Sequence, residues 1–211
     1  INSSMKQADF SGAKLNTSVF SATDLEGVIL AGTSIESVVF SDCRCRRVDF
    51  SGARVYNTLF HGCVFKDNIF DDVTIQLSLF HGADFDGTDF SGLDLTQCQF
   101  HESTLKDCHF NHTRLDKSGF MWGVLEGSTF DEAGLKFANF YEANLSGSSF
   151  KKADLTRASL QKAVISGSDF SGAKMIQAQL VESRAEKSSF VGADLTYADL
   201  SHAGLKESDF S

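Results

Sequence analysis

An apolar residue occupies every fifth position of this chain from Phe10 to Phe210, without an insertion or deletion. The only small residues at these central positions are Cys45 and Ala185. A spacing of five fits neither the 3.6-residue period of an α-helix nor the two-residue alternation of a strand. The pattern therefore excludes an ordinary helical bundle or open sheet and predicts a repeat architecture.

Each five-residue unit has a small residue two positions before its central residue, with Asn68 and Leu93 as the exceptions. Thirteen of the seventeen glycines lie two positions after a central residue, where a tight corner requires permissive backbone dihedrals. Each unit therefore predicts a short inward-facing segment followed by a corner. Asn68 would be an inward polar group that needs a hydrogen-bond partner.

The type of central residue repeats every twenty residues. Since each unit has five residues, one coil contains four units and therefore has four walls. Phenylalanine dominates the series that start at Phe10 and Phe20, whereas aliphatic residues fill most of the two series between them. Like residues then stack one coil apart, and the sequence predicts a four-sided parallel β-helix of about ten coils. The core is expected to contain Phe50, Phe60, Phe70, Phe80, Phe90, Phe100 and Phe110.

Units such as Ala8-Asp9-Phe10-Ser11-Gly12 and Ala143-Asn144-Leu145-Ser146-Gly147 resemble the pentapeptide-repeat family, whose consensus is Ala-(Asp/Asn)-(Leu/Phe)-x-x. The resemblance covers essentially the whole chain. It implies an all-β fold, a right-handed quadrilateral β-helix, as a single domain over residues 1–211. Because the repeats run to both ends of the chain, we expect the native caps or flanking regions to be absent, or end-to-end contacts to cover the open edges.

Acidic residues are concentrated in the middle of the chain. The sequence has 28 Asp and Glu against 19 Lys and Arg, and this net charge of −9 argues against direct nucleic-acid binding. Residues 67–105 contain no Lys or Arg. This segment predicts an acidic belt that docks a basic partner, or one that only keeps the protein soluble. The belt consists of Asp67, Asp71, Asp72, Asp84, Asp86, Asp89 and Asp94.

A row of apolar residues is predicted on the outside of one wall, with a column of histidines beside it. The row becomes polar at Gln99. It predicts either a face for protein docking or dimerisation, or a ladder that only supports the sheet. The apolar stripe consists of Val19, Val39, Leu59 and Leu79, and the histidine column of His61, His81 and His101.

Metal, disulfide and enzyme chemistry are not expected. The histidine column has no carboxylate or cysteine ligand on the same column, so low-pH instability is expected rather than a zinc site. All five cysteines lie at inward or central positions, and without a signal peptide we expect buried, reduced thiols. No phosphate-binding loop, nucleophile elbow or zinc-protease motif is present. We therefore expect no catalytic residue and no cofactor.

Three classes of function remain for a bacterial protein that we expect in the cytoplasm or as a secreted effector. The first is a rigid scaffold that binds a protein partner, with homodimerisation or end-to-end association as a further expectation. The second follows from the resemblance, because some pentapeptide-repeat proteins mimic duplex DNA, bind topoisomerases such as gyrase and protect them from quinolones. The third is a structural module of a larger effector. No apolar run is long enough to span a membrane.

Overall fold

The twenty-residue repeat builds a β-solenoid with four walls. The structure is a computed structural model that describes residues 2–211. Residues twenty apart pair in parallel, from the bridge between Ser4 and Asp24 to the bridge between Ser189 and Asp209. The described residues contain no helix, and so none that could cross a membrane. We number the walls 1 to 4 in chain order, starting with the wall that contains Phe10.

Ten short strands form parallel ladders between residues 14 and 81. Their bounds are β1 Lys14–Asn16, β2 Val19–Ser21, β3 Ser34–Glu36, β4 Val39–Ser41, β5 Arg44–Arg46, β6 Arg54–Tyr56, β7 Leu59–His61, β8 Val64–Lys66, β9 Thr74–Gln76 and β10 Leu79–His81. Wall 2 holds β1, β3, β6 and β9, wall 3 holds β2, β4, β7 and β10, and wall 4 holds β5 and β8. These ladders make about three turns, so the prediction of about ten coils was too high for the regular strands. Outside them, single bridges continue the pairing.

Central side chains of all four walls point to a common axis and stack on their counterparts one coil away. In wall 3, neighbouring rings from Phe20 to Phe140 lie nearly parallel, with centroids 4.8 to 5.2 Å apart. Rings of adjacent walls meet edge to face, as Phe120 and Phe130 do at 6.0 Å. All seven phenylalanines predicted for the core are buried. Burial of each side chain stabilises the folded state by about 1.5–3 kcal/mol.

Inward hydroxyl groups bind the backbone of the neighbouring coil. Ser128 Oγ donates to the Leu105 carbonyl oxygen at 2.6 Å, and Ser168 Oγ donates to the Leu145 carbonyl oxygen at 2.8 Å. Donor and acceptor are 23 residues apart in both cases. The inward position therefore selects a side chain that is small enough for the core and also supplies a hydrogen bond between coils.

Asn68 makes the same type of contact between coils, through its own side-chain amide. Its Nδ2 donates to the Cys45 carbonyl oxygen, and its Oδ1 accepts from the Val48 N–H, both at 2.8 Å. The hydrogen-bond partner that an inward asparagine requires is thus supplied by the coil before it.

Every residue two positions after a central residue has a positive φ, from Asn2 to Glu207. Glycine fills thirteen of these corners, but twenty-nine carry a side chain, including Thr17 at 50° and Leu77 at 49°. The left-handed conformation costs a non-glycine residue roughly 1–2 kcal/mol. The corners are therefore strained, and the contacts between coils must offset that strain.

The backbone ladder has one interruption among the described residues, between segments 67–77 and 86–96. In wall 1, the Phe50 N–H donates to the Ile69 carbonyl oxygen at 2.9 Å, but the equivalent bond from Phe70 to Asp89 is absent. The bridges that would join residues 69 to 89 and 74 to 94 are also absent, whereas walls 3 and 4 stay paired at this level. At this junction the backbone pairing is thus broken on walls 1 and 2 and intact on walls 3 and 4.

The inward hydroxyl bonds predict a difference between two buried serines. Replacement Ser168→Ala removes a donor to the Leu145 carbonyl and is expected to lower the free energy of unfolding by about 1 kcal/mol. Ser183 is equally buried but its hydroxyl has no hydrogen-bond partner, so Ser183→Ala is the matched control and is expected to be neutral or stabilising. Urea unfolding of both variants measures the difference; equal losses would contradict it.

The strained corners predict which glycines tolerate a side chain. Gly147 has φ 68°, and no atom lies within 4 Å of the position that a Cβ would take, so Gly147→Ala is expected to destabilise by about 1 kcal/mol through backbone strain alone. Gly134 lies outside the left-handed region, and a Cβ there would only touch Asp116 at 3.5 Å. Thermal unfolding should therefore show a lower midpoint for Gly147→Ala than for Gly134→Ala, and the reverse order would refute the strain argument.

Candidate interaction surfaces

The apolar stripe lies on the outside of wall 3, with one member on each of four successive coils. Val19 pairs with Val39, Val39 with Leu59, and Leu59 with Leu79. Val19 is 68% exposed, and the other three are half-buried. At a strand spacing of about 4.8 Å the stripe is roughly 15 Å long. The four side chains form a continuous apolar ridge on a regular sheet.

Two exposed apolar residues near the stripe were missed by the sequence analysis. Leu77, at the corner between walls 2 and 3, is 45% exposed, and Tyr56, at the end of β6, is 44% exposed. The φ of 49° at Leu77 is unfavourable for a bulky side chain. The sequence signal that could have identified Leu77 is an apolar residue at a corner position. Both residues extend the apolar surface towards wall 2.

The three histidines lie along one edge of wall 3 but in different environments. The rings of His61 and His81 stack with their centroids 5.3 Å apart. The His101 ring lies over Gly119, where a Cβ would collide with it and with the Gln99 amide. Nδ1 of His101 is buried without a hydrogen-bond partner. The stripe therefore ends where Gln99 and His101 fold onto the backbone of the next coil.

Burial lowers the pKa of His101, and the neighbouring His81 lowers it further, whereas Glu102 acts in the opposite direction. His81 Nε2 lies 4.0 Å from Glu102 Oε2. No group of three or more potential ligands that could hold a metal ion occurs within residues 2–211. Protonation of His101 therefore costs the folded state energy.

The seven aspartates of the acidic belt fall into two groups. Asp84, Asp89 and Asp94 each accept the backbone N–H two residues later, at 2.9 to 3.1 Å, and Asp86 accepts the Lys106 N–H at 2.9 Å. The other three are exposed, with no ion pair in the part of the chain that the structure describes. These three are Asp67, Asp71 and Asp72.

The aspartate before a central residue has a structural use throughout the rod. Asp49 and Asp169 accept the N–H groups of Ser51 and Ser171, both at 2.9 Å, in the same way as Asp89. Burial raises the pKa of Asp89, but the hydrogen bonds from Ser91 outweigh it and hold the pKa below its usual range. Much of the acidic belt therefore stabilises corners, and only part of its charge is free for a partner.

The five cysteines are buried and free. Burial raises the pKa values of Cys98 and Cys108 to about 12. Each donates its thiol to a backbone carbonyl 23 residues earlier, at 3.4 and 3.2 Å. These cysteines therefore act like the inward serines and have no nucleophilic thiolate.

The family comparison agrees with the repeat fold that the structure shows. The family model for pentapeptide repeats (8 copies) matches residues 3–42, 43–82, 83–118, 124–147, 138–175 and 173–211. The chain belongs to the pentapeptide repeat family, as the sequence resemblance predicted. A search of curated proteins gives no significant match.

The comparison with solved structures finds other pentapeptide repeat proteins. HetL, a protein involved in heterocyst differentiation regulation in the cyanobacterium Nostoc, is 21% identical with a TM-score of 0.67, over 97% of this chain and 90% of HetL. Full-length QnrB1, a plasmid-mediated fluoroquinolone resistance protein, is 17% identical with a TM-score of 0.49, over 92% and 93% of the two chains. At 21% identity, the likeness to HetL establishes the fold alone.

Protonation of His101 predicts a loss of stability at mildly acidic pH. The pKa of His101 is lower in the folded than in the unfolded protein, where it is about 6.5. The unfolded state therefore binds the proton first, and stability falls as the pH drops below about 6.5. Denaturant unfolding between pH 7.5 and 5 should show a shallower decline for His101→Gln than for the unchanged protein.

The matched control is His202→Gln, because His202 is exposed near the other end of the rod. This control should keep the full decline. If both variants reduced the pH dependence equally, the effect would not come from the buried imidazole.

Proposed function

We propose that this protein is a rigid, non-enzymatic scaffold that binds a protein partner through the apolar stripe on wall 3. The observation that carries the proposal is the continuous ridge from Val19 to Leu79, extended by the exposed Leu77. Contiguous exposed apolar surface commonly marks an interaction site.

The wall beneath the stripe supports this role because it is pre-organised. β2, β4, β7 and β10 form one parallel sheet, and the stacked phenylalanine rings fix the pitch of their side chains from inside. A partner then binds without ordering a loop, which reduces the entropy cost of association. We take residues 1–211 as one repeat domain, supported by unbroken pairing in walls 3 and 4. The five free thiols support a reducing compartment such as the bacterial cytoplasm.

A gyrase-binding DNA mimic is the second candidate, and its support is the exposed acidic group of Asp67, Asp71 and Asp72 in a stretch without Lys or Arg. In the second half of the rod, however, ion pairs such as Lys151 with Asp169 at 3.2 Å offset much of the charge. A DNA supercoiling assay tests this candidate: unchanged gyrase activity at micromolar protein would eliminate it.

The scaffold proposal predicts that charge on the stripe abolishes docking. The double replacement Val39→Asp and Leu59→Asp would desolvate two carboxylates in the interface, and we expect at least a tenfold loss of affinity, equivalent to about 1.4 kcal/mol. The measurement is affinity capture from a lysate of the source organism, followed by titration of the purified partner. Thermal unfolding checks that the variant remains folded.

The matched control is Ser159→Asp with Gln179→Asp, which changes the same position of wall 3 further along the rod. We expect this control to keep the full affinity. Equal affinity of the stripe variant and the unchanged protein would refute the proposed docking face. Light scattering of both proteins distinguishes a partner protein from a second copy of the chain.

A further inference from the structure

One outward position of wall 3 is buried, although its residue has no side chain of its own. Among residues 2–211, the position directly before each central residue is exposed or half-buried in every unit except that of Gly119. Gly119 lies two coils after Leu79, the last member of the apolar stripe. The side chains that cover it are those of Gln99 and His101, from the coil before. Gly119 is therefore the floor of a closed contact between two coils.

This contact requires a glycine at position 119. A Cβ there would lie 2.4 Å from His101 Cε1 and 2.1 Å from Gln99 Oε1, so any larger residue would displace both groups. The Gln99 amide is fixed by the backbone, because its Nε2 donates to the carbonyl oxygens of Gln97 at 3.0 Å and Lys117 at 3.3 Å. The His101 ring is held by packing, since its buried Nδ1 has no hydrogen-bond partner in the described chain.

The buried Nδ1 makes the contact depend on the protonation state of His101. A neutral imidazole can carry its proton on Nε2 and leave Nδ1 as an acceptor, whereas an imidazolium carries an N–H on both nitrogens. A buried N–H without an acceptor is unfavourable. Protonation therefore favours a position of the ring in which water reaches Nδ1.

The groups around the ring act on its charge in opposite directions. Burial and the neighbouring His81 lower the pKa of His101, whereas Glu102 raises it. On the following coil, Met121–Trp122 carries no charge, and Lys117 belongs to the opposite corner of wall 3. Once the ring is in water the effect of burial is lost, and the exposed carboxylate of Glu102 next to it favours the imidazolium.

We propose that His101 and Gly119 form an acid-operated latch on wall 3. At neutral pH the uncharged ring closes on Gly119. In mildly acidic solution the imidazolium leaves the contact, bares the backbone of Gly119 and adds a positive charge to the surface one coil beyond Leu79. The opening is local, because the bridges of Gly119 to Gln99 and Asn139 are made by the backbone. The latch thus changes the shape and charge of wall 3 at the end of the stripe while the rod stays folded.

This inference does not depend on docking at the apolar stripe. The latch consists of Gln99, His101 and Gly119, and the replacements Val39→Asp and Leu59→Asp leave all three in place. Loss of docking in that variant and opening of the latch are therefore separate measurements. Either can fail while the other is confirmed.

Hydrogen–deuterium exchange of the full chain tests the opening. The protection factor of the Gly119 N–H, corrected for the intrinsic effect of pH on exchange, is expected to fall about tenfold between pH 7.5 and 5. The internal control is the Gly134 N–H, which has the same position in a wall 2 unit and donates across the ladder at 3.0 Å, against 3.1 Å for Gly119. An equal loss at both glycines, or no loss at Gly119, would overturn the latch.

The variant Gly119→Ala is expected to hold the latch open at every pH. The displaced atoms are the ends of flexible side chains, and Gly119 lies outside the left-handed region, so the variant is expected to fold. In an NMR titration of the imidazole signals, His101 should then have a higher pKa than in the unchanged protein. The matched control Gly134→Ala should leave it unchanged. An identical titration of His101 in Gly119→Ala and in the unchanged protein would overturn the proposal.

The variant His101→Gln separates protonation of this ring from other effects of acid, and it decides the question if Gly119→Ala does not fold. Glutamine does not titrate, so the protection of the Gly119 N–H should be the same at pH 7.5 and pH 5. The control His202→Gln should keep the tenfold loss. A tenfold loss that persists in His101→Gln would assign the opening to another group and overturn the proposal.

Discussion

Parallel hydrogen bonds between residues twenty apart set the pitch of the rod, and the remaining features depend on that pitch. Strands in a parallel ladder lie about 4.8 Å apart, which is close to the separation at which aromatic rings stack. In the series Phe110, Phe130 and Phe150, successive rings are accordingly 4.7 Å apart. Backbone pairing and ring stacking favour the same spacing, so a single apolar residue per unit is enough to define the core.

The same pitch explains what the chain tolerates at its corners. A left-handed corner is unfavourable for most side chains, yet every corner up to Gly192, apart from those of the interruption, is tied to the next coil by a backbone hydrogen bond, such as Lys152 N–H to the Ser171 carbonyl oxygen at 3.0 Å. Corner identity is therefore nearly free, which lets outward charge and apolar groups vary without loss of the fold. Leu77 uses that freedom at the edge of the stripe.

The sequence predicted the architecture better than the surface. The strict five-residue period predicted that all central residues face a common axis. The inward position of Asn68 predicted a hydrogen-bond partner for its side chain. The inward hydroxyl bonds were missed because Ser, Thr and Ala were grouped by size, although the donors of Ser128 and Ser168 were visible in the sequence. The interruption was not predicted, although Asn68 and Leu93, the two exceptions at the inward position, lie on its two sides; the five-residue period itself continues through residues 67–97, and the break depends on how two coils tilt.

A solenoid can contain such a break because each coil contacts only its neighbours. The loss of pairing on walls 1 and 2 is confined to one junction, and the bond from Phe90 to His109 restores wall 1 one coil later at 2.7 Å. Walls 3 and 4 carry the connection across the junction, with Phe65 and Phe85 in closer contact than any other stacked pair of the core rings. A local defect in backbone pairing is thus tolerated while the stripe on wall 3 keeps its regular spacing.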